Sequence, residues 1–313
     1  MTTTPQLNRA QGVGPNALTR RDGRVPNSAR RRDTLHGWGF AAPFVIAFLL
    51  FLVWPIIYGF YLSLTGQSIT GANSEVIGFA NYAEAFADGD VWRSLGNTLW
   101  FTLLSTVPLV LVALILALLV NLGLPGQWLW RLAFFAPFLL ASTVVSLFWI
   151  WMYNPQLGLI NSVLGGSTAW LTDSNTAMIS VVITTVWWTV GFNFLLYLAA
   201  LQNIPEQQYE AASLDGAGKW RQLFSITIPQ LAPTTIVIVI LQVLASLKVF
   251  DQIYIMTGGG PGGATRPIVQ YIYETGFTAY RLGYASAVAY VFFAIIVIAS
   301  MVQVLVTSRR GAK

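Results

Sequence analysis

Six apolar stretches, each long enough to cross a hydrocarbon layer as a helix, constrain this chain more than any other feature. A helix needs about 20 mostly apolar residues to cross a core about 30 Å thick. The runs fall at about 38–62, 95–122, 130–153, 177–202, 233–257 and 283–307. They lack the alternation of barrel strands, and an unpaired backbone group in lipid costs several kcal/mol, so helix is the spanning form that remains. The sequence predicts an all-α membrane protein of about six transmembrane helices, with residues 37–308 as the membrane domain, 1–36 as a tail and 309–313 as a short end. Composition agrees, since 9% of residues are charged against about 25% in soluble domains.

Basic residues orient the spans. Arg9, Arg20, Arg21, Arg24, Arg30, Arg31 and Arg32 precede the first run, and Arg131, Lys219, Arg221, Arg309, Arg310 and Lys313 share their side. The other side holds Arg93, Arg266 and Arg281. The side richer in Lys and Arg is cytoplasmic, which predicts both termini in the cytoplasm. The net charge of +5 therefore reads as a lipid-facing flank rather than a nucleic-acid surface. Residues 1–36 carry little apolar surface to bury and are predicted to be disordered. An Arg-rich start before an apolar run also suits a signal peptide, but this run exceeds an h-region of about 7–15 residues, and no small-residue cleavage site follows it.

Several chemistries are excluded. There is no cysteine, hence no disulfide framework or thiolate nucleophile. The one histidine, His36, lies at the foot of the first run as a solvated interfacial residue. Gly258, Gly260 and Gly263 satisfy G-x-G-x-x-G, but no βαβ unit surrounds them, and no G-x-x-x-x-G-K-[ST] occurs anywhere. Thr189-Val190-Gly191-Phe192 is similar to a potassium-filter sequence, but it lies inside a long apolar run. An intramembrane enzyme lacks a convergent acid/base or metal set. An ion-coupled secondary carrier, the alternative function, would show broken, repeated helices and coupling-ion sites.

The connection at 203–230 is unlike a passive loop. Pro205 and Glu206 suit the first turn of a helix, Gly216 can end it, and Trp220, Leu223 and Phe224 form a second amphipathic stretch before Pro229. Within it stand Glu210-Ala211-Ala212, then Gly216, then Ile226-Thr227-Ile228-Pro229. This spacing resembles the E-A-A, three residues, G, nine residues, I-x-L-P signature of permease subunits of binding-protein-dependent ABC importers; Ile228 stands for the usual leucine. Gly78-Phe79-Ala80-Asn81-Tyr82 and the stretch from Phe250 to Pro261 resemble the carbohydrate-uptake branch that includes maltose and glycerol-phosphate permeases, the latter stretch being typical of the larger partner of a heterodimer. The resemblance implies a type I permease fold and a cytoplasmic coupling helix at Glu210–Gly216, with Asp215 and Arg221 adding contacts. It implies a second homologous permease, two ATPase subunits that hold the ATP and magnesium, and an extracytoplasmic solute-binding protein; no cofactor is expected on this chain.

Polar groups inside spans mark the expected solute path. Lys248 and Asp251, three apart on the fifth run, either line that path with Gln252 or simply pair with each other. On the fourth run Asn193 offers an amide beside the broad faces of Trp187 and Trp188, suited to a sugar ring and its hydroxyls. Gln242, Ser246 and Tyr254 are weaker candidates, and Asn97 and Thr98 belong with them, because a lone polar residue often bonds a neighbouring helix.

Overall fold

The computed structural model describes residues 40–123 and 125–311, so the disorder expected of 1–36 lies outside the described residues. They form an all-α structure of twelve helices, with a single bridge between Thr65 and Val76 as the nearest approach to a strand. The helices are α1 (Phe40–Ser63), α2 (Ala80–Ala87), α3 (Gly89–Asn121), α4 (Gln127–Leu139), α5 (Ser142–Met152), α6 (Leu159–Leu164), α7 (Ala177–Gln202), α8 (Glu206–Leu214), α9 (Lys219–Leu247), α10 (Asp251–Thr257), α11 (Ile268–Tyr273) and α12 (Leu282–Gly311). Five of them are long and apolar enough to cross a membrane, and the bent pair α4 and α5 makes a sixth span if taken as one.

Two compact units divide the chain after Ile57. None of the described residues of the first, Phe40 to Ile57, is buried, although nearly all are apolar, the pattern of a helix whose solvent is lipid. In the second unit, Leu109, Ala113 and Ala117 of α3 pack on Phe194, Tyr197 and Leu201 of α7 and on Leu231 and Ile238 of α9. Association in lipid gains little from burial and much from close contact, which explains the alanines at this seam. Gly191 of α7 lies so near α4 that a Cβ there would overlap the Phe134 carbonyl oxygen and the Phe135 Cα.

Two predicted spans are corrected. The third, read as one helix over 130–153, is two helices meeting at 99°. Pro137 opens a 3-10 turn at Ala136–Leu139, and Leu140 and Ala141 are extended, with ψ of 144° and 143°. The fifth, read as 233–257, starts at Lys219 and stops at Leu247; Phe250, with φ −147° and ψ −69°, separates it from α10. Pro108 and Pro233 sit inside α3 and α9 without ending them.

At the end of the fold remote from α8, side chains tie loops to α3. Asn97 donates to the carbonyl oxygens of Gly263 and Arg266 at 2.8 and 3.0 Å, and the Thr98 hydroxyl accepts from the Ile268 amide at 2.9 Å. These two path candidates are therefore loop fasteners. Asp88 caps α3 through the Asp90 amide and accepts from Tyr271 and Tyr284 at 2.6 and 2.7 Å. Burial pushes its carboxyl up, but the hydrogen bonds from the two tyrosines and from the Asp90 and Val91 amides together hold it below its ordinary value.

A depressed carboxylate stabilises the fold above its unfolded pKa and loses that contribution as pH falls through the folded value. The thermal unfolding midpoint of the solubilised protein should therefore fall below about pH 4, and Asp88→Asn should lower the midpoint at neutral pH and flatten that dependence. Gly191→Ala should destabilise by about 1–3 kcal/mol through overpacking, measured in the same assay.

Candidate functional site

A cavity of about 270 Å³ opens where α7, the end of α9, the break after it and the start of α10 converge. Thr185, Trp188 and Thr189 of α7 form one wall, Gln242 and Ser246 of α9 another, and Lys248, Phe250, Asp251 and Gln252 edge the break. Ser142, at the bend between α4 and α5, and Phe101 of α3 complete it.

Some of its polar side chains are tied to each other, while the Ser142 hydroxyl and Gln252 Nε2 have no hydrogen-bond partner among the described residues. Asn193, only 1% exposed, donates to Gln242 Oε1 at 3.2 Å, and Gln242 Nε2 reaches Ser246 Oγ at 3.2 Å. The Ser246 hydroxyl lies 3.0 Å from that of Ser105, and Thr185 donates to Gln252 Oε1 at 2.8 Å. The indole of Trp188 donates to the Leu140 carbonyl at 3.2 Å, satisfying backbone freed by the bend.

Six of the eleven predicted path residues thus share one cavity: Trp188, Gln242, Ser246, Lys248, Asp251 and Gln252. Asn193 stands behind it, bonded to Gln242. Trp187 lies elsewhere, against Phe148 and Trp149 of α5, and Tyr254 stacks on Phe250 beyond the cavity lining. Of the two alternatives for Lys248 and Asp251, both line the cavity and the mutual ion pair does not form among the described residues, because the helix that would align them ends at Leu247; both residues are exposed.

At the other end of α9, the connection at 203–230 folds as a short helix, a glycine turn and the first turns of α9. Gly216, with φ +77°, ends α8 in the left-handed region that a side chain would strain. Its amide bonds Ser213 O and that of Ala217 bonds Ala212 O, the paired closure of a Schellman motif. Three contacts fasten α8 to α9: the hydroxyls of Tyr209 and Thr227 at 2.9 Å, Gln222 Nε2 donating to Ser213 Oγ at 2.8 Å, and the amides of Gln208 and Gln230. Glu210, Ala211, Asp215 and Arg221 are exposed, with Ala212 half-buried, and the three charged ones have no ion pair among the described residues. Beside them Leu214 is 90% and Trp220 76% exposed.

Residues 90–311, from the first turn of α3 to the last described residue of α12, match the family model for the inner membrane component of binding-protein-dependent transport systems. The chain belongs to this family. Among its relatives, the probable ABC transporter permease protein YurN of Bacillus subtilis (strain 168) is 38% identical over 82% of this chain and 91% of its own length. The sulfoquinovosyl glycerol transport system permease protein SmoG of Agrobacterium fabrum (strain C58 / ATCC 33970) is 38% identical over 81% of this chain and 84% of its own. A chain in the crystal structure of a bacterial ABC transporter that imports the acidic polysaccharide alginate superposes with a TM-score of 0.79 at 25% identity, covering 91% of this chain and 99% of that one. The permease fold expected from the signature is therefore the fold present.

Sequence reasoning about this permease missed Thr185, Ser142 and Phe101. Thr185 was recoverable, since it stands three and four residues before Trp188 and Thr189 and so on their helix face. Ser142 was hidden by reading the bend as continuous helix. Thr185→Val leaves the Gln252 amide without that partner and should lower the unfolding midpoint by about 1–3 kcal/mol of stability, checked by thermal unfolding in detergent.

Proposed function

We propose that this permease is the membrane-spanning subunit of an ATP-driven importer, that it passes a sugar or sugar-like solute received from an extracytoplasmic binding protein, and that α8 is its coupling helix. One observation carries the reading: α9 is a single helix of 29 residues, about 44 Å long, fastened to α8 at one end and walling the cavity at the other. A displacement of α8 reaches Gln242 and Ser246 along this one helix, through its π turn at Leu223–Thr227 and past Pro233.

The exposed face of α8 suits a protein groove. Glu210 supplies a charge-assisted hydrogen bond, Ala211 and Ala212 allow close approach, Asp215 and Arg221 add polar contacts, and Leu214 with Trp220 supplies apolar area. The partner on that face is an ATPase subunit; ATP and its magnesium belong to two such subunits. A second homologous permease closes the pathway, and lipid covers the outer stripe of α3 formed by Leu99, Leu103, Val107, Leu111 and Ile115, all exposed. The excess of basic residues on the α8 side supports a cytoplasmic position for both termini, and the family supports a prokaryotic plasma membrane.

The cavity groups favour a hydroxyl-rich solute. Amides and hydroxyls offer both donors and acceptors, and Trp188 adds an aromatic wall. Likeness to SmoG and to the alginate importer supports a sugar-like cargo.

The test is ATP hydrolysis by the chain co-assembled with its partner subunits, with solute-loaded binding protein added. Stimulation in the wild type should fall at least about tenfold in Glu210→Ala and in Gly216→Pro, a loss of about 1.4 kcal/mol in coupling. Absence of any associated ATPase sinks the reading.

A further inference from the structure

An aromatic file leaves the cavity along α10, α11 and the π turn that continues α11 over Glu274–Thr278. Phe250, in the cavity wall, stacks on Tyr254 with centroids 5.3 Å apart at 26° and meets Tyr273 at 5.3 Å. Tyr273 continues to Phe277, at 5.5 Å and 30°. Tyr254 is 43%, Tyr273 39% and Phe277 54% exposed.

The charged residues at its cavity end separate this file from rings anchored in lipid, and its tyrosine hydroxyls are spare, as those of exposed Tyr61 and Tyr280 are among the described residues. Buried tyrosines here use their hydroxyls: Tyr153 donates to Ser180 O, Tyr197 to Thr235, and Tyr271 and Tyr284 to Asp88. Tyr254 and Tyr273 have no hydrogen-bond partner for theirs among the described residues. The file also starts beside exposed Lys248 and Asp251, and a bare carboxylate is costly against hydrocarbon, so that end faces water or solute.

We propose that Phe250, Tyr254, Tyr273 and Phe277 form a track on which the ring of a pyranose solute stacks on its way between the surface and the cavity. A pyranose presents an apolar C–H face and a rim of hydroxyls. The rings take the face, and the spare tyrosine hydroxyls take the rim. Successive rings about 5.5 Å apart let a sugar step from one to the next without leaving an aromatic surface. The proposal rests on the importer reading and deepens it.

The test uses the full permease with its partner subunits in lipid nanodiscs and saturation-transfer NMR with methyl α-glucopyranoside, glycerol serving as the ringless control. Transfer to the sugar's ring C–H protons is expected in the wild type, to fall at least threefold in Tyr254→Leu/Tyr273→Leu, and to persist in Tyr254→Phe/Tyr273→Phe. The leucine pair keeps apolar bulk, so assembly survives, which co-purification of the partners checks. No transfer in the wild type, or equal transfer in the leucine variant, overturns the track. In that event, stimulation of ATP hydrolysis by loaded binding protein in the same complexes keeps the importer reading standing, and its absence removes that reading as well.

Discussion

A backbone amide or carbonyl without a partner in hydrocarbon costs several kcal/mol, so a helix in a membrane stops only where something else meets its freed groups. This molecule stops at two such places, Leu140–Ala141 and Lys248–Phe250, and both border the same cavity. At the first, the Trp188 indole takes the Leu140 carbonyl. At the second, the amides of Lys248 and Val249 fold back onto Ala245 and Ser246. The cavity and the breaks depend on each other: polar lining makes irregular backbone tolerable at that depth, and irregular backbone makes room for the lining.

The rest of the second unit is stiff where the breaks are not. α3 and α9 run 33 and 29 residues with a proline inside each, their alanine and leucine seams held against α7. On the importer reading, motion starts at α8, travels along α9 and is absorbed at the Lys248–Phe250 joint, the nearest point where the dihedrals are not already fixed by a helical ladder.

Much of this was legible in the sequence, for reasons that differ by element. The long apolar runs announced the helices because lipid leaves no other spanning form, and the turn at Gly216 was readable because a left-handed residue that closes a helix is usually glycine. The grouping of Trp188, Gln242, Ser246 and Gln252 followed from the cost of polar side chains in lipid. The breaks were not legible: hydropathy counts apolar residues and is blind to direction, so Phe135–Leu140 and Leu247–Phe250 read as uninterrupted spans. That blindness produced the Lys248 to Asp251 pair, which assumed helical spacing across a joint, and it concealed Ser142. Asn97 and Thr98 were weak path candidates for a related reason, since a polar residue that holds another segment looks in sequence like one that lines a path.

The fastening of residues 263–268 to Asn97 and Thr98 has a consequence for how a signal would cross the molecule. That segment begins ten residues after Ile253, and its hydrogen bonds hold it both to the start of α3 and, through Thr265, to Thr257 at the end of α10 and to the turn at Gly259 and Gly260. The far end of α3, at Leu118 and Leu122, borders a second cavity of about 500 Å³ beside Tyr209 and Trp220. Two rods therefore join the opposite faces, and both reach the cavity, α9 through Gln242 and Ser246 and α3 through Phe101 and the Ser105 to Ser246 hydrogen bond, so that a load on the outer loop and a solute in the pathway bear on the same pair of helices.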